Sequence, residues 1–240
     1  MKHPFRSHIL PYFTIGAGIL GLVLRIWLFS ATDEKGLLPA GHFADHALFI
    51  LTALVLLILF LSTRKLTPRH VSKAFIRYAN GVTCVLGGFG LIFSAIFHLA
   101  GSSARLALLA TAASFIGGLV MLAMAALSFF RKRIHYGMPA IVTVVLMLDA
   151  VTQCQVWGSV PQLQLYFFPL LASVFLILTA YYKTTFAARR PKPRQLAFCS
   201  QCALYFCFLS LNSSQWMLYL GMLFWAAFQI YPCTLMKKKV

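Results

Sequence analysis

The sequence predicts an all-α polytopic membrane protein, a bundle of about eight transmembrane helices in four hairpins, on three observations. Of its 240 residues, 60% are hydrophobic and 10% charged, against about 25% charged in a soluble domain. Stretches long enough to cross a bilayer, which takes roughly 20 apolar residues, recur along its whole length. The segments between them alternate between basic and nearly uncharged, as successive crossings require.

The spans fall at 9–31, 46–62, 78–100, 104–130, 138–156, 163–182, 196–211 and 215–233, in one domain covering 1–240. The first follows the basic "MKHPFRSH". Its apolar run exceeds the roughly 7–15 residues of a secretory signal and lacks a small-residue cleavage pattern, so it is expected to be a retained span. The third carries Asn80, Cys84, Gly87, Ser94 and His98 along one face, with Leu91 on the same line. Such a small and polar stripe suits a close helix–helix contact or a water-lined path toward His98. The fifth carries Asp149. The sixth contains Pro169, which predicts a kink, and the seventh contains "CSQC" (199–202). The two halves, spans 1–4 and 5–8, show no residue-level repeat of the inverted kind found in transporters.

Charge sets the expected orientation. The connections "RKLTPRHVSKAFIR" (64–77), "RKRIHYG" (131–137) and "KTTFAARRPKPRQ" (183–195) are basic and contain no acid. Those at 32–45, 101–103, 157–162 and 212–214 carry almost no positive charge. Of the 21 lysines and arginines, all but Arg25, Lys35 and Arg105 fall on the basic side, which also takes both termini. The positive-inside rule then places both termini in the cytoplasm. Trp27, Trp157, Tyr166 and Trp216 mark the outer boundary, and Tyr136, Tyr181, Tyr182 and Tyr231 the inner one.

The formal net charge of +17 does not indicate nucleic acid. The basic residues stand in short clusters between spans, whereas a nucleic-acid binder gathers them on one folded surface. The expected partners are the bilayer and, on the cytoplasmic face, anionic lipid headgroups, with a homo- or hetero-oligomer compatible with the Gly/Ala/Ser faces. The six cysteines all lie in apolar segments, the pattern of small buried hydrophobes rather than a disulfide framework. "CSQC" has only Arg194 near it in sequence to activate a thiol, and reads as packing.

Ionisable residues within a span are costly and face protein or water. Arg25 and Asp149 are the two clear cases. They lie about 9 Å and about 12 Å from the outer ends of their spans at 1.5 Å per residue, depths that allow a salt bridge. Gly21 and Ala17 lie one and two turns below Arg25 and allow close helix approach. Thr152 and Gln153 share a face with Asp149. Arg25, Asp149 and Gln153 are therefore the candidate intramembrane site, either for a substrate or proton or as a structural ion pair.

"GHFADH" (41–46) is the second candidate. His42 and His46 are i and i+4, and Asp45 is i+3 from His42, so all three share a helical face. The pattern resembles the H-x-x-E-H of inverzincin metallopeptidases, with Asp45 in place of the glutamate; zinc is the metal that resemblance implies. His98 could supply a further ligand. The layout is also similar to membrane hydrolases of the alkaline ceramidase and adiponectin-receptor type, whose late HxxxH pair has no counterpart here. As a plain helix start, Asp45 stabilises the positive end of the helix dipole. A third likeness lies in "LRIWLFSATDEKGLLPAGH" (24–42), which resembles the opening of uncharacterised polytopic membrane proteins of clostridial bacteria; it implies a bacterial cytoplasmic-membrane address and no activity.

Three functions follow as expectations: a small-molecule or ion transporter or channel built on Arg25 and Asp149; an outward-facing metal-dependent membrane hydrolase using His42, Asp45, His46 and His98; and a non-catalytic subunit of a membrane complex. An enzymatic activity is not the leading one.

Overall fold

The computed structural model describes residues 9–31, 43–64, 73–101, 105–132, 134–157 and 163–234, and their regular secondary structure is entirely α-helical. The helices are α1 (Ile9–Ser30), α2 (Phe43–Thr63), α3 (Lys73–Gly101), α4 (Arg105–Phe129), α5 (Gly137–Trp157), α6 (Leu163–Ala187), α7 (Pro193–Ser210), α8 (Trp216–Phe228) and α9 (Ile230–Thr234). Helices α1 to α6 are each long and apolar enough to cross a membrane. The chain has the build of an integral membrane protein.

The last two expected spans are of a different kind. Helix α7 has 18 residues, and its apolar run is broken by Ser200 and Gln201. Helix α8 has 13. Its continuation is interrupted at Gln229, three residues before Pro232, which has no N–H to offer the Phe228 carbonyl. The chain resumes as α9 for a single turn.

The packing order explains why α7 can be polar. Helices α3, α4, α5, α6, α7 and α8 each pack on the next, and α8 packs back on α3, closing a ring. Helix α1 lies against α7, and α2 against both. With α1, α2, α6, α8 and α9 around it, α7 is sheathed by protein. From Leu196 to Ser210 only Phe198 and Phe208 escape full burial. Lipid does not select its composition; its neighbours do.

Helices α1 and α2 show the opposite pattern. Each buries one stripe at three- and four-residue spacing: Leu10, Thr14, Gly18, Gly21, Arg25 and Leu28 on α1, and Ala44, Leu48, Thr52, Val55, Leu59 and Thr63 on α2. Their other faces expose Ile19, Val23, Ile26, Ile50, Leu54 and Leu57. A soluble amphipathic helix would be polar there; a lipid-facing one has no reason to be. The polar line on α3 is buried as far as it is described: Asn80, Cys84, Leu91 and Ser94 all face inward.

Helices α3 and α8 approach closely through two facing glycines, Gly90 and Gly221. A Cβ added at Gly221 would stand 2.7 Å from the Leu86 carbonyl oxygen and 2.8 Å from Gly90 Cα. Only two facing glycines let the backbones meet at this distance, the small-residue packing that membrane helices use.

Two helices end on an arginine where glycine is usual. Arg131 (φ 58°) and Arg189 (φ 62°) take the left-handed conformation after α4 and α6. The Lys132 N–H donates to Leu127 O and the Arg190 N–H to Thr185 O, both at 2.9 Å, closing each helix with a Schellman motif. Because α6 closes there, it runs to Ala187, five residues beyond the expected 182. Lys183 therefore belongs to a helix and not to a basic connection.

Candidate functional site

Two polar clusters cross the inside of the ring. The first is built on Asp149. This residue lies on α5, is 2% exposed, and its Oδ2 accepts a 2.6 Å hydrogen bond from Gln153 Nε2 one turn along. The other Nε2 hydrogen of Gln153 goes to Gln215 Oε1, just before α8. Tyr219, one turn into α8, offers its hydroxyl to Gln153 Oε1 at 3.2 Å and to the Pro169 carbonyl at 3.3 Å. Ser173 of α6 approaches the same hydroxyl at 3.4 Å. Since α5 and α8 are not neighbours in the ring, the Tyr219–Gln153 bond spans its interior. Pro169 sits within a continuous α6, and its carbonyl accepts from both Ser173 and Tyr219.

Arg25 is equally buried, at 3% exposed. Its guanidinium donates to Leu209 O, one of the terminal carbonyls of α7 that lack a helical partner. It also lies 5.4 Å from the ring centroid of Phe29 and 5.5 Å from that of Phe168, within cation–π range. A cation here meets the negative end of the α7 dipole. Gly21, one turn below, faces Leu209 and Tyr205 of α7, the close approach its size predicts. Tyr219 connects the two charged residues, since its hydroxyl lies within electrostatic reach of both Asp149 and Arg25.

The second cluster was not foreseen from the sequence. Lys183 turns inward from the last turns of α6. Its Nζ donates to Asn80 Oδ1 of α3 at 2.8 Å and to Gln229 Oε1 at 2.5 Å. Asn80 Nδ2 donates to Ser128 Oγ of α4 at 2.9 Å, and Gln229 Nε2 to Trp225 O at 3.1 Å. This network also spans the ring, from α6 to α3 and α4. Tyr219 and Gln229 are ten residues apart, as are Ser173 and Lys183, which puts about 15 Å between the clusters. Leu176 and Met222 lie between them in sequence, both buried in the core. The signal that could have found this site was depth: Asn80 near the start of α3, and Ser128, Lys183 and Gln229 near the ends of α4, α6 and α8, all stand on the same side of the bundle.

The histidine motif is only partly visible. Asp45 and His46 lie in the first turn of α2, Asp45 half-buried and His46 exposed. His42 falls outside the described residues, and so does the side chain of His98, although its backbone belongs to α3. Among the described residues no group of three or more His, Cys, Asp or Glu side chains could hold a metal ion. All six cysteines are free thiols, and all but Cys154 are buried, Cys199 and Cys202 among them. Between those two, the Gln201 amide is fully buried and neither its oxygen nor its nitrogen has a hydrogen-bond partner.

The site thus consists of an interior carboxylate network, a guanidinium at the end of a buried helix, and an interior ammonium about 15 Å away by helix rise. Compared with protein-family models, with curated proteins and with solved structures, the chain matches none.

Proposed function

We propose that this protein is a small-molecule or ion transporter or channel of a bacterial cytoplasmic membrane, with Arg25, Asp149 and Gln153 as its binding groups. The observation that supports this reading is the Asp149–Gln153–Tyr219 network crossing the ring interior. A bundle that serves only to pack has no need of a carboxylate there. Ionisable residues retained at such depth mark substrate, ion or proton paths. In the orientation favoured by the basic connections, both termini and the α6–α7 loop face the cytoplasm, α7 and α8 complete eight crossings, and the Asp149 network opens toward the outer side.

The test is ion and proton flux across liposomes containing the purified protein, against empty liposomes. The wild type is expected to carry a current or collapse an imposed pH or ion gradient. Asp149→Asn should abolish the flux while the protein still folds and purifies as the wild type does. Wild-type liposomes no leakier than empty ones would overturn the reading. So would an Asp149→Asn protein that retains full flux, and one that cannot accumulate in the membrane would make the carboxylate structural.

A further inference from the structure

Lys183 poses a problem of charge balance. Its ammonium has three N–H donors, and the two hydrogen bonds it makes go to neutral amide oxygens, Asn80 Oδ1 and Gln229 Oε1. Of the chain's four acids, the two among the described residues lie elsewhere. Asp149 belongs to the other cluster, and Asp45 to the first turn of α2. Lys183 is half-buried, and a charge drawn out of water without a counter-charge is costly.

The surrounding groups add donors, not acceptors. Asn80 Nδ2 and Gln229 Nε2 each direct one hydrogen to a known acceptor and carry a second. Trp225 is 1% exposed, and its indole Nε1 has no hydrogen-bond partner. The Cys84 thiol lies near both the Lys183 ammonium and the Trp225 indole, which places that indole beside the cluster. The Cys233 thiol is itself directed at Gln229 O. The α6–α7 loop adjoining this end of α6 exposes Arg189, Arg190 and Lys192, charges that attract anions toward it.

We propose that Lys183, Asn80, Gln229 and Trp225 form a binding site for one small inorganic anion of halide size, entered from the α6–α7 end of the ring. The donors are single N–H groups drawn from α3, α6 and the C-terminal end of α8, not a fork shaped for a planar or tetrahedral oxyanion. The packing is also tight: a Cβ at Gly87 would already meet Met121 at 2.7 Å and Trp225 Cβ at 3.4 Å. The site stands independently of transport, because binding is read on the purified protein whether or not it carries anything.

The experiment is thermal unfolding of the detergent-solubilised full chain, in sodium gluconate progressively replaced by sodium chloride at constant ionic strength. The wild-type Tm is expected to rise saturably, by roughly 5 °C. Lys183→Met should remove that dependence. Asn80→Asp, which supplies an internal counter-charge, should fold and be equally insensitive to chloride, and it decides the matter if Lys183→Met does not fold. Equal wild-type Tm in chloride and gluconate would overturn the proposal, as would a chloride shift retained in Asn80→Asp. A shift given by sodium phosphate and not by chloride would overturn the halide assignment.

Discussion

Replacing Gly221 by alanine tests how the ring holds its two clusters in place. The new Cβ would stand 2.7 Å from Leu86 O, 2.8 Å from Gly90 Cα and 3.2 Å from Gly90 N. All three are backbone atoms, so no side chain can rotate away. Comfortable carbon contacts are about 3.5–4.0 Å, and α8 would have to retreat from α3 by roughly 1 Å. Overpacking of this kind costs about 1–3 kcal/mol. The retreat also acts at a distance, because Gln229 follows Gly221 by about two turns and holds Lys183 at 2.5 Å. Gly16→Ala is the matched control: nothing lies within 4 Å of a Cβ there, so better helix propensity should leave it neutral or up to about 1 kcal/mol more stable. Unfolding in detergent, followed by tryptophan fluorescence, measures both. If Gly221→Ala is as stable as the wild type, or if the two variants change alike, α3 and α8 do not meet through this glycine pair and the reasoning fails.

Two further substitutions probe single features by the same measurement. Tyr219→Phe removes the hydroxyl that reaches Gln153 and Pro169 and leaves Gln153 Oε1 without that donor; a loss of about 1 kcal/mol is expected, and an unchanged melting curve would show that the network contributes nothing to stability. Arg189→Gly relieves a left-handed arginine at φ 62°, a strain of about 1–2 kcal/mol partly offset by the greater freedom of glycine in the unfolded chain. It should gain up to about 1 kcal/mol, and a destabilised variant would mean that the arginine side chain itself supports the end of α6.

Hydropathy alone was enough to draw the helices, because lipid imposes a uniform requirement on every segment it touches. Helices α1 and α2 are the clearest case, their exposed faces as apolar as their buried ones. The same signal was less informative for α7, whose surroundings are other helices and whose Ser200 and Gln201 are tolerated by packing rather than by lipid. Asp149 and Gln153 could be paired from their i, i+4 spacing, since a helix fixes that geometry locally. Arg25 could be singled out by depth, but its acceptor, Leu209 O, lies 184 residues away. Lys183 was assigned to a connection because a positive charge beside arginines looks like a loop on the basic side. What turned it inward was the Schellman closure at Arg189, which prolonged α6.

The sequence by itself determined an all-helical membrane chain, the approximate place of each helix and the residues too polar to face lipid, because these follow from local composition and the period of the helix. Which of those residues meet was decided only by the tertiary structure. The ring order of α3 to α8 brings Tyr219 across to Gln153 and Lys183 across to Asn80. Contacts between helices distant in sequence depend on glycine-sized gaps and helix ends, which no hydropathy pattern records.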